Sequence, residues 1–175
     1  MKTLGLDMST RSTGYAVFEN DKLVDYGIIK NSEKDWRLRV IAMGWEIGQL
    51  MKNVKPNVVV CEDVFVSGKH GKGNNNSSVM IKLSVLQGFV LGLFSDRNQK
   101  YEYVTPTKWR SKLEGVFSGK RKGTTRPELK ANTVAYVNKN FGLDLFYDKE
   151  RSVVKNQDDI ADAIGIAYSY ILSQK

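Results

Sequence analysis

At 175 residues, with 41% hydrophobic residues and a formal charge of +8, the chain suits one globular domain with its own core and leaves no room for a second. Its single cysteine excludes an intramolecular disulfide. We find no apolar stretch approaching the roughly 20 residues that a membrane span needs. The chain also enters a predicted strand at once, without the pattern of a signal peptide, so we expect a cytoplasmic protein that does not bind membranes.

The first 30 residues predict three antiparallel strands, at 2–7, 13–19 and 23–30. Asp7 stands out because an ionised carboxylate on a buried strand must be paired, hydrogen-bonded or bound to a cation. Asp7 therefore either belongs to a functional site or accepts hydrogen bonds from the Ser/Thr-rich turn that follows it.

Helices and strands alternate in the rest of the chain. The spacing of Trp36, Val40, Met43 and Ile47 is typical of an amphipathic helix whose apolar stripe faces the core. A short, continuously apolar segment then reads as a buried parallel strand, and it ends in a second carboxylate, Glu62. The predicted elements are a helix at 35–53, a strand at 57–62, a loop at 63–78, a helix at 79–94, a strand at 101–104, a helix start at Thr105-Pro106, and helices at 126–140 and 157–173.

Further carboxylates cluster at the start of the last predicted helix. Asp159 and Asp162 are three residues apart and Asp158 and Asp162 are four apart, so at least two carboxylates share one helix face. The helix dipole favours acids in a first turn, and Asn156 or Asp158 is a candidate N-cap. That explanation does not extend to Asp162, which lies beyond the first turn among apolar residues. Three separate segments that deliver carboxylates to one sheet predict a divalent-cation site, because the bare charges would repel one another.

Most of the net charge lies between residues 107 and 130. This segment has eight basic residues against two acidic ones, Glu114 and Glu128, and therefore carries a charge of +6. Such an excess indicates a surface that binds a polyanion, and we expect nucleic acid. The basic residues are Lys108, Arg110, Lys112, Lys120, Arg121, Lys122, Arg126 and Lys130.

Four motifs follow one another along the chain: Gly5-Leu6-Asp7 with Thr13-Gly14, Glu62-Asp63-Val64-Phe65, the basic region with Lys130, and Asp159-Ile160-Ala161-Asp162-Ala163. Their order resembles that of the ribonuclease H-like superfamily, and within it the RuvC-type Holliday-junction resolvases. The resemblance implies an α/β fold with a five-stranded mixed sheet, in which the first three strands are antiparallel and the later ones parallel, flanked by helices. It also implies that residues 1–175 form a single nuclease domain.

The same resemblance implies a role for individual residues. Asp7, Glu62, Asp159 and Asp162 would be catalytic, metal-binding carboxylates, and Lys130 a catalytic basic residue close to the scissile phosphate. Whether Asp158 or Asp159 is the ligand stays open. Phe65 would stack on bases at the junction crossover. The complete set expected to bind DNA is Phe65, Lys69, Lys72, Lys108, Arg110, Lys120, Arg121, Lys122 and Arg126.

These residues suit metal-dependent hydrolysis of a phosphodiester. Two Mg²⁺ ions, which Mn²⁺ can replace, would activate a water molecule and stabilise the leaving oxygen. We therefore expect a magnesium-dependent endonuclease that resolves four-way and other branched DNA by paired nicks. The alternatives are a ribonuclease of the same fold, an actin-like phosphotransferase or ATPase, and a DNA-binding module without activity.

The helix at 79–94 is apolar almost all round, more than one core-facing stripe requires. It either lies buried within the domain or pairs two copies of the chain. The resemblance favours a homodimer through this helix, and a four-way junction has a matching two-fold symmetry. Its apolar residues are Val79, Met80, Ile81, Leu83, Val85, Leu86, Phe89, Val90, Leu91, Leu93 and Phe94.

Overall fold

The computed structural model describes residues 1–63, 75–117, 124–148 and 156–175. Within these residues, five strands form one mixed sheet in the order β3-β2-β1-β4-β5. Strands β1 to β3 are antiparallel neighbours, whereas β4 runs parallel to both β1 and β5. The predicted fold class is confirmed. The strands are β1 (Lys2–Asp7), β2 (Ser12–Glu19), β3 (Lys22–Lys30), β4 (Val58–Glu62) and β5 (Tyr101–Val104).

Helices cover both faces of the sheet. Helix α1 begins after Asp35, whose side chain accepts hydrogen bonds from the first-turn amides, and it ends where Lys55 adopts a left-handed conformation ahead of Pro56. Helix α3 begins after Thr105 with Pro106 at its start, as predicted. The helices are α1 (Trp36–Val54), α2 (Asn75–Asp96), α3 (Pro106–Arg110), α4 (Arg126–Phe141) and α5 (Asp158–Leu172).

The period of two along each strand assigns its side chains to one face or the other. Leu4 and Leu6 of β1 join the core formed with α1 and α2. Gly5, between them, faces α5 on the opposite side of the sheet. Asp7, two residues beyond Gly5, is therefore on the α5 face.

Helix α2 departs from the expectations in two respects. It begins at Asn75, inside the segment predicted as a loop. Its Ser78–Asp96 portion, 19 residues with a mean hydropathy of 1.6, is by length and composition long and apolar enough to cross a membrane, contrary to the expectation that the sequence has no such stretch. One helix of this kind is weak evidence for a membrane span.

The side chains of α2 divide between the core and the surface. Leu86, Val90 and Phe94 are fully buried against the sheet and α1, whereas Ile81 and Val85 are exposed. The alternative that the helix is buried on all sides is therefore wrong. The inclusion of Leu86, Val90 and Phe94 in the predicted dimer surface is wrong as well, because these residues belong to the core.

Candidate active site

Strand register brings the first two carboxylates together. The last paired residues of β1 and β4 are Leu6 and Cys61, and Asp7 and Glu62 follow them side by side on the α5 face. The indole Nε1 of Trp109 donates a hydrogen bond of 2.7 Å to Glu62 Oε2. The sequence predicted that Asp7 and Glu62 emerge close together in the sheet, and this is confirmed.

Helix α5 adds two more carboxylates because it lies unusually close to β1 and β2. A Cβ on Gly14 would overlap the carbonyl oxygen of Asp159, and one on Gly5 would come within 2.7 Å of the Ala167 Cβ. Only glycine fits at these two positions, and this explains the glycines of Gly5-Leu6-Asp7 and Thr13-Gly14. Ser12 Oγ then donates to Asp159 Oδ2 at 2.8 Å and ties the start of α5 to β2.

Two basic side chains lie among the acids. Arg110 Nη2 contacts Asp162 Oδ2 at 3.0 Å, and its Nη1 lies 3.9 Å from Glu62 Oε2. Lys130 Nζ donates a hydrogen bond to Asp158 and lies 3.9 Å from Asp159 Oδ1. Both cations are largely buried, so each offsets carboxylate charge that water does not solvate.

The pKa values reflect this crowding. Burial raises the pKa of Asp7 well above its usual range, and the charges of Asp162, Glu62 and Asp159 raise it further. Burial also raises the pKa of Asp162 to about 6, although Arg110 and Lys130 oppose the shift. These shifts indicate that the acids are held together at a cost, as expected for a site that binds cations.

Lys130 and Asp159 are shifted by the same surroundings. Burial alone would lower the pKa of Lys130, but its hydrogen bond to Asp158 and the neighbouring acids outweigh burial and raise it. Burial raises the pKa of Asp159, while the hydrogen bond from Ser12 lowers it. Lys130 is therefore held in its charged form beside the acids.

The acids open into a cavity of about 710 Å³. Asp7, Glu62, Asp159 and Asp162 line it, and Asp158 is not among the lining residues. The N-cap of α5 is Gln157, whose side chain makes no capping hydrogen bond, so the idea that Asn156 or Asp158 caps this helix is wrong. The basic residues that line the cavity are Arg11, Arg39, Lys82, Arg110, Arg126 and Lys130.

Sequence reasoning missed Trp109 and three of the cavity's basic residues, Arg11, Arg39 and Lys82. The sequence could have indicated Arg11 as a site residue, because it lies in the short turn between Asp7 and Gly14. Arg39 had one too, because it interrupts the apolar face of α1, where it is buried and donates to the carbonyls of residues 33 and 34. Trp109 and Lys82 gave no signal that separates them from ordinary core and surface residues.

The residues predicted to bind DNA have different positions. Arg126 and Arg110 both line the cavity, and Arg110 also contacts the carboxylate of Asp162. Lys108 is exposed on α3, lies 3.7 Å from Glu102 and does not line the cavity. Phe65, Lys69, Lys72, Lys120, Arg121 and Lys122 lie outside the described residues.

The donor chemistry of the acids suits a hard divalent cation. Every candidate ligand atom is a carboxylate oxygen, and Asp162 Oδ1 is buried without a hydrogen-bond partner among the described residues. The spacing is a separate matter: in the described part of the chain, no three Asp, Glu, His or Cys side chains form a group that could hold a metal ion as they stand.

Known proteins resemble this chain over most of its length. The family model described as crossover junction endodeoxyribonuclease RuvC matches residues 3–125. The enzyme of that name from Aliarcobacter butzleri is 30% identical over 143 residues, covering 74% of this chain and 88% of that protein. The one from Fusobacterium nucleatum is 25% identical over 180 residues, covering 99% and 81%.

A solved structure supports the same fold. T. thermophilus RuvC in complex with Holliday junction substrate has a TM-score of 0.70 at 17% identity, covering 99% of this chain and 94% of that one. The family match excludes the actin-like phosphotransferase and the inactive DNA-binding module. The chain belongs to the crossover junction endodeoxyribonuclease RuvC family.

Proposed function

We propose that the protein resolves four-way DNA junctions, and other branched DNA, by metal-dependent hydrolysis at the cavity formed by β1, β4 and α5. The observation that carries this proposal is the convergence of Asp7, Glu62, Asp159 and Asp162 on one cavity from three separate segments. We assign the activity to residues 1–175 as a single nuclease domain. Because the proposed substrate is DNA, we place the protein in the cytoplasm.

Asp7, Glu62, Asp159 and Asp162 are the proposed metal ligands. Oxygen-only donors favour Mg²⁺, with Mn²⁺ as a substitute. Two such ions would supply an activated water molecule and stabilise the leaving oxygen. Asp159 is preferred over Asp158 as the ligand because Asp159 lines the cavity and adds to the raised pKa of Asp7, while Asp158 pairs with Lys130.

The chain's own basic residues would hold the DNA backbone. Arg11, Lys82 and Arg126 line the cavity and offer phosphate contacts that do not depend on base sequence. Lys130, fixed beside the acids, is the proposed catalytic cation near the scissile phosphate. Lys108 and Arg110, which the structure describes, are also proposed to contact DNA. The stacking role of Phe65 and the DNA contacts of Lys69, Lys72, Lys120, Arg121 and Lys122 stay proposals on residues that the structure does not describe.

A homodimer through α2 would supply the two active sites that paired nicks require. Ile81, Val85 and Leu91 are exposed apolar residues on this helix. Gly88 and Gly92 have open space where a Cβ would lie. Small residues flanked by exposed apolar ones allow the backbones of two helices to approach closely, so this face suits a second copy of the chain.

Cleavage assays test the activity directly. Four-way DNA, linear duplex and an RNA–DNA hybrid are incubated with Mg²⁺ and with EDTA. We expect cleavage of the junction alone, lost in EDTA and in Asp7→Asn, Glu62→Gln and Asp162→Asn while junction binding survives. Asp144→Asn changes an exposed acid away from the cavity and serves as the control. Undiminished cleavage by the three variants would refute the site, and cleavage of the hybrid instead of the junction would indicate a ribonuclease.

The dimer is tested with a matched pair of variants. Val85 on α2 and Val24 on β3 have nearly equal exposure, 46% and 44%. We expect Val85→Glu to give a monomer that nicks junctions without pairing the cuts, and Val24→Glu to remain a dimer. Sedimentation equilibrium measures the mass. A wild-type mass near 19.8 kDa at micromolar concentration would contradict a stable dimer.

A further inference from the structure

Arg110 occupies an unusual position for a basic residue in a DNA-binding protein. Its side chain is only 11% exposed, and the guanidinium contacts Asp162 through Nη2, with Glu62 at 3.9 Å from Nη1. It also stacks on the indole of Trp109, 4.1 Å from the ring centroid. A guanidinium held in this way is directed toward the acids at the wall of the cavity.

Trp109 holds both Glu62 and Arg110 in position. The indole is 1% exposed and packs in the core beside Leu113. A Cβ on Gly165 would come within 2.7 Å of its ring, so α3 is pressed against α5 at this point. Since the same indole donates to Glu62 Oε2, one rigid side chain holds the carboxylate and carries the guanidinium.

Arg110 therefore pairs with two of the four carboxylates that the proposed function assigns to metal. A cation of charge +1 between Glu62 and Asp162 offsets part of the charge that a divalent ion would neutralise. We propose that Arg110 is a built-in counter-cation that competes with the divalent metal for Glu62 and Asp162, so that metal binding requires the guanidinium to leave these acids. This inference rests on the proposed metal site.

The competition has a definite thermodynamic sign. Arg110 stabilises the protein without metal, because Glu62 and Asp162 would otherwise be left close together and unpaired. It lowers metal affinity by the same interaction, since binding of the metal must break the pair. An arginine that only supports the fold would stabilise the protein equally with and without metal.

Calorimetric titration with Mn²⁺ tests the affinity. We expect Arg110→Gln to bind Mn²⁺ at least about tenfold more tightly than wild type, because a positive charge beside the site is removed. Arg110→Lys loses the stacking on Trp109 but keeps the positive charge, so it is the matched control for charge, with affinity expected within about threefold of wild type. Equal or weaker binding by Arg110→Gln overturns the competition.

Urea unfolding with and without Mn²⁺ gives the complementary measurement. Arg110→Gln is expected to be less stable than wild type in EDTA, and saturating Mn²⁺ should shrink this difference. A difference that is the same in both conditions overturns the proposal. The Glu62→Gln variant distinguishes a failure of the proposed metal site from a failure of the competition by Arg110. If Glu62→Gln binds Mn²⁺ like wild type, the proposed metal site itself is wrong.

Fluorescence keeps the test available if Arg110→Gln does not fold. With Trp36→Phe and Trp45→Phe, Trp109 is the one remaining tryptophan of the three in the sequence. Mg²⁺ should change its emission, since the guanidinium leaves the indole face, and the change should disappear in Glu62→Gln. An emission unaffected by Mg²⁺, at concentrations that calorimetry shows to be saturating, overturns the displacement of Arg110.

Discussion

The two faces of the sheet are built from different residues, and they contribute differently to stability and to the geometry of the site. On the face toward α1 and α2, large side chains such as Leu6, Ile47 and Leu86 fill the space between sheet and helices. On the face toward α5, Gly5 and Gly14 leave almost no space, and the helix lies directly on the strands. The first face contributes buried apolar area, whereas the second sets how near the acids of α5 come to those of the strands.

Because of this difference, we expect substitutions on the two faces to affect stability and activity differently. Deleting atoms on the α1 face should cost stability and leave the site geometry alone. Adding a single carbon on the α5 face should disturb both, because the helix that carries Asp159 and Asp162 must move. The expected effects fall from several kcal/mol to a fraction of one.

Ile47→Ala should have the largest effect on stability. Ile47 is fully buried between α1 and the sheet, and truncation of such a residue costs about 4 kcal/mol, from lost burial and the cavity left behind. Urea unfolding measures the loss. Junction cleavage per folded molecule should stay at the wild-type level, and a fall in that specific activity would contradict the division between the two faces.

Gly14→Ala should cost about 3 kcal/mol, because the added carbon overlaps the backbone of Asp159 and α5 must shift. Unlike Ile47→Ala, this variant should also lose most of its cleavage per folded molecule. Unfolding and junction cleavage are measured on the same preparation. Full specific activity in a destabilised Gly14→Ala protein would mean that the close contact serves packing alone.

The pH dependence of stability isolates the acids on the α5 face. Burial and the neighbouring acids raise the pKa of Asp162 to about 6, above the ordinary value of 3.8, so the folded protein binds the proton more tightly than the unfolded chain. Asp162 alone should therefore make the unfolding free energy in EDTA fall by about 1.4 kcal/mol per pH unit from about pH 4 to pH 6, and Asp7 and Asp159, whose pKa values are also raised, should add to the fall. Asp162→Asn should flatten this slope; an unchanged slope would assign it to other groups.

Gly48→Ala should have the smallest effect, and it is favourable. An added Cβ there meets only Leu93 and Arg97 side-chain atoms, at 3.4 and 3.6 Å. Replacement of glycine by alanine within a helix typically stabilises by about 0.5–1 kcal/mol. Thermal and urea unfolding should show a small gain without a change in cleavage. A loss of stability as large as that expected for Gly14→Ala would mean that the helices on both faces of the sheet are packed equally closely.

Much of this arrangement could be predicted from the sequence, because it follows from local rules. The period of two along β1 and the apolar run of β4 placed Asp7 and Glu62 at neighbouring strand ends. Thr105, followed by Pro106, predicted the start of α3 through its capping chemistry. These features depend on residues that are close together in the sequence, so they can be predicted without knowledge of the tertiary contacts.

The remainder depends on tertiary contacts that no local pattern encodes. Helix α2 begins at Asn75, within residues of weak helix propensity, so the prediction of a loop there followed propensity alone. The expectation that Arg110 contacts DNA stays a prediction, but its stacking on Trp109 and its contact with Asp162 are tertiary contacts that the basic segment alone did not indicate. Which residues of α2 face the core could be decided only with α1 in place.

The pairing of β1 with β4 also limits how the chain length can change. Removal of one residue within either strand would move Asp7 or Glu62 to the opposite face, where α1 and α2 leave no room for a carboxylate. An extra residue at the Asn20–Asp21 turn would leave that pairing as it is. Insertions and deletions should therefore be tolerated around this turn, while the lengths of β1 and β4 stay fixed.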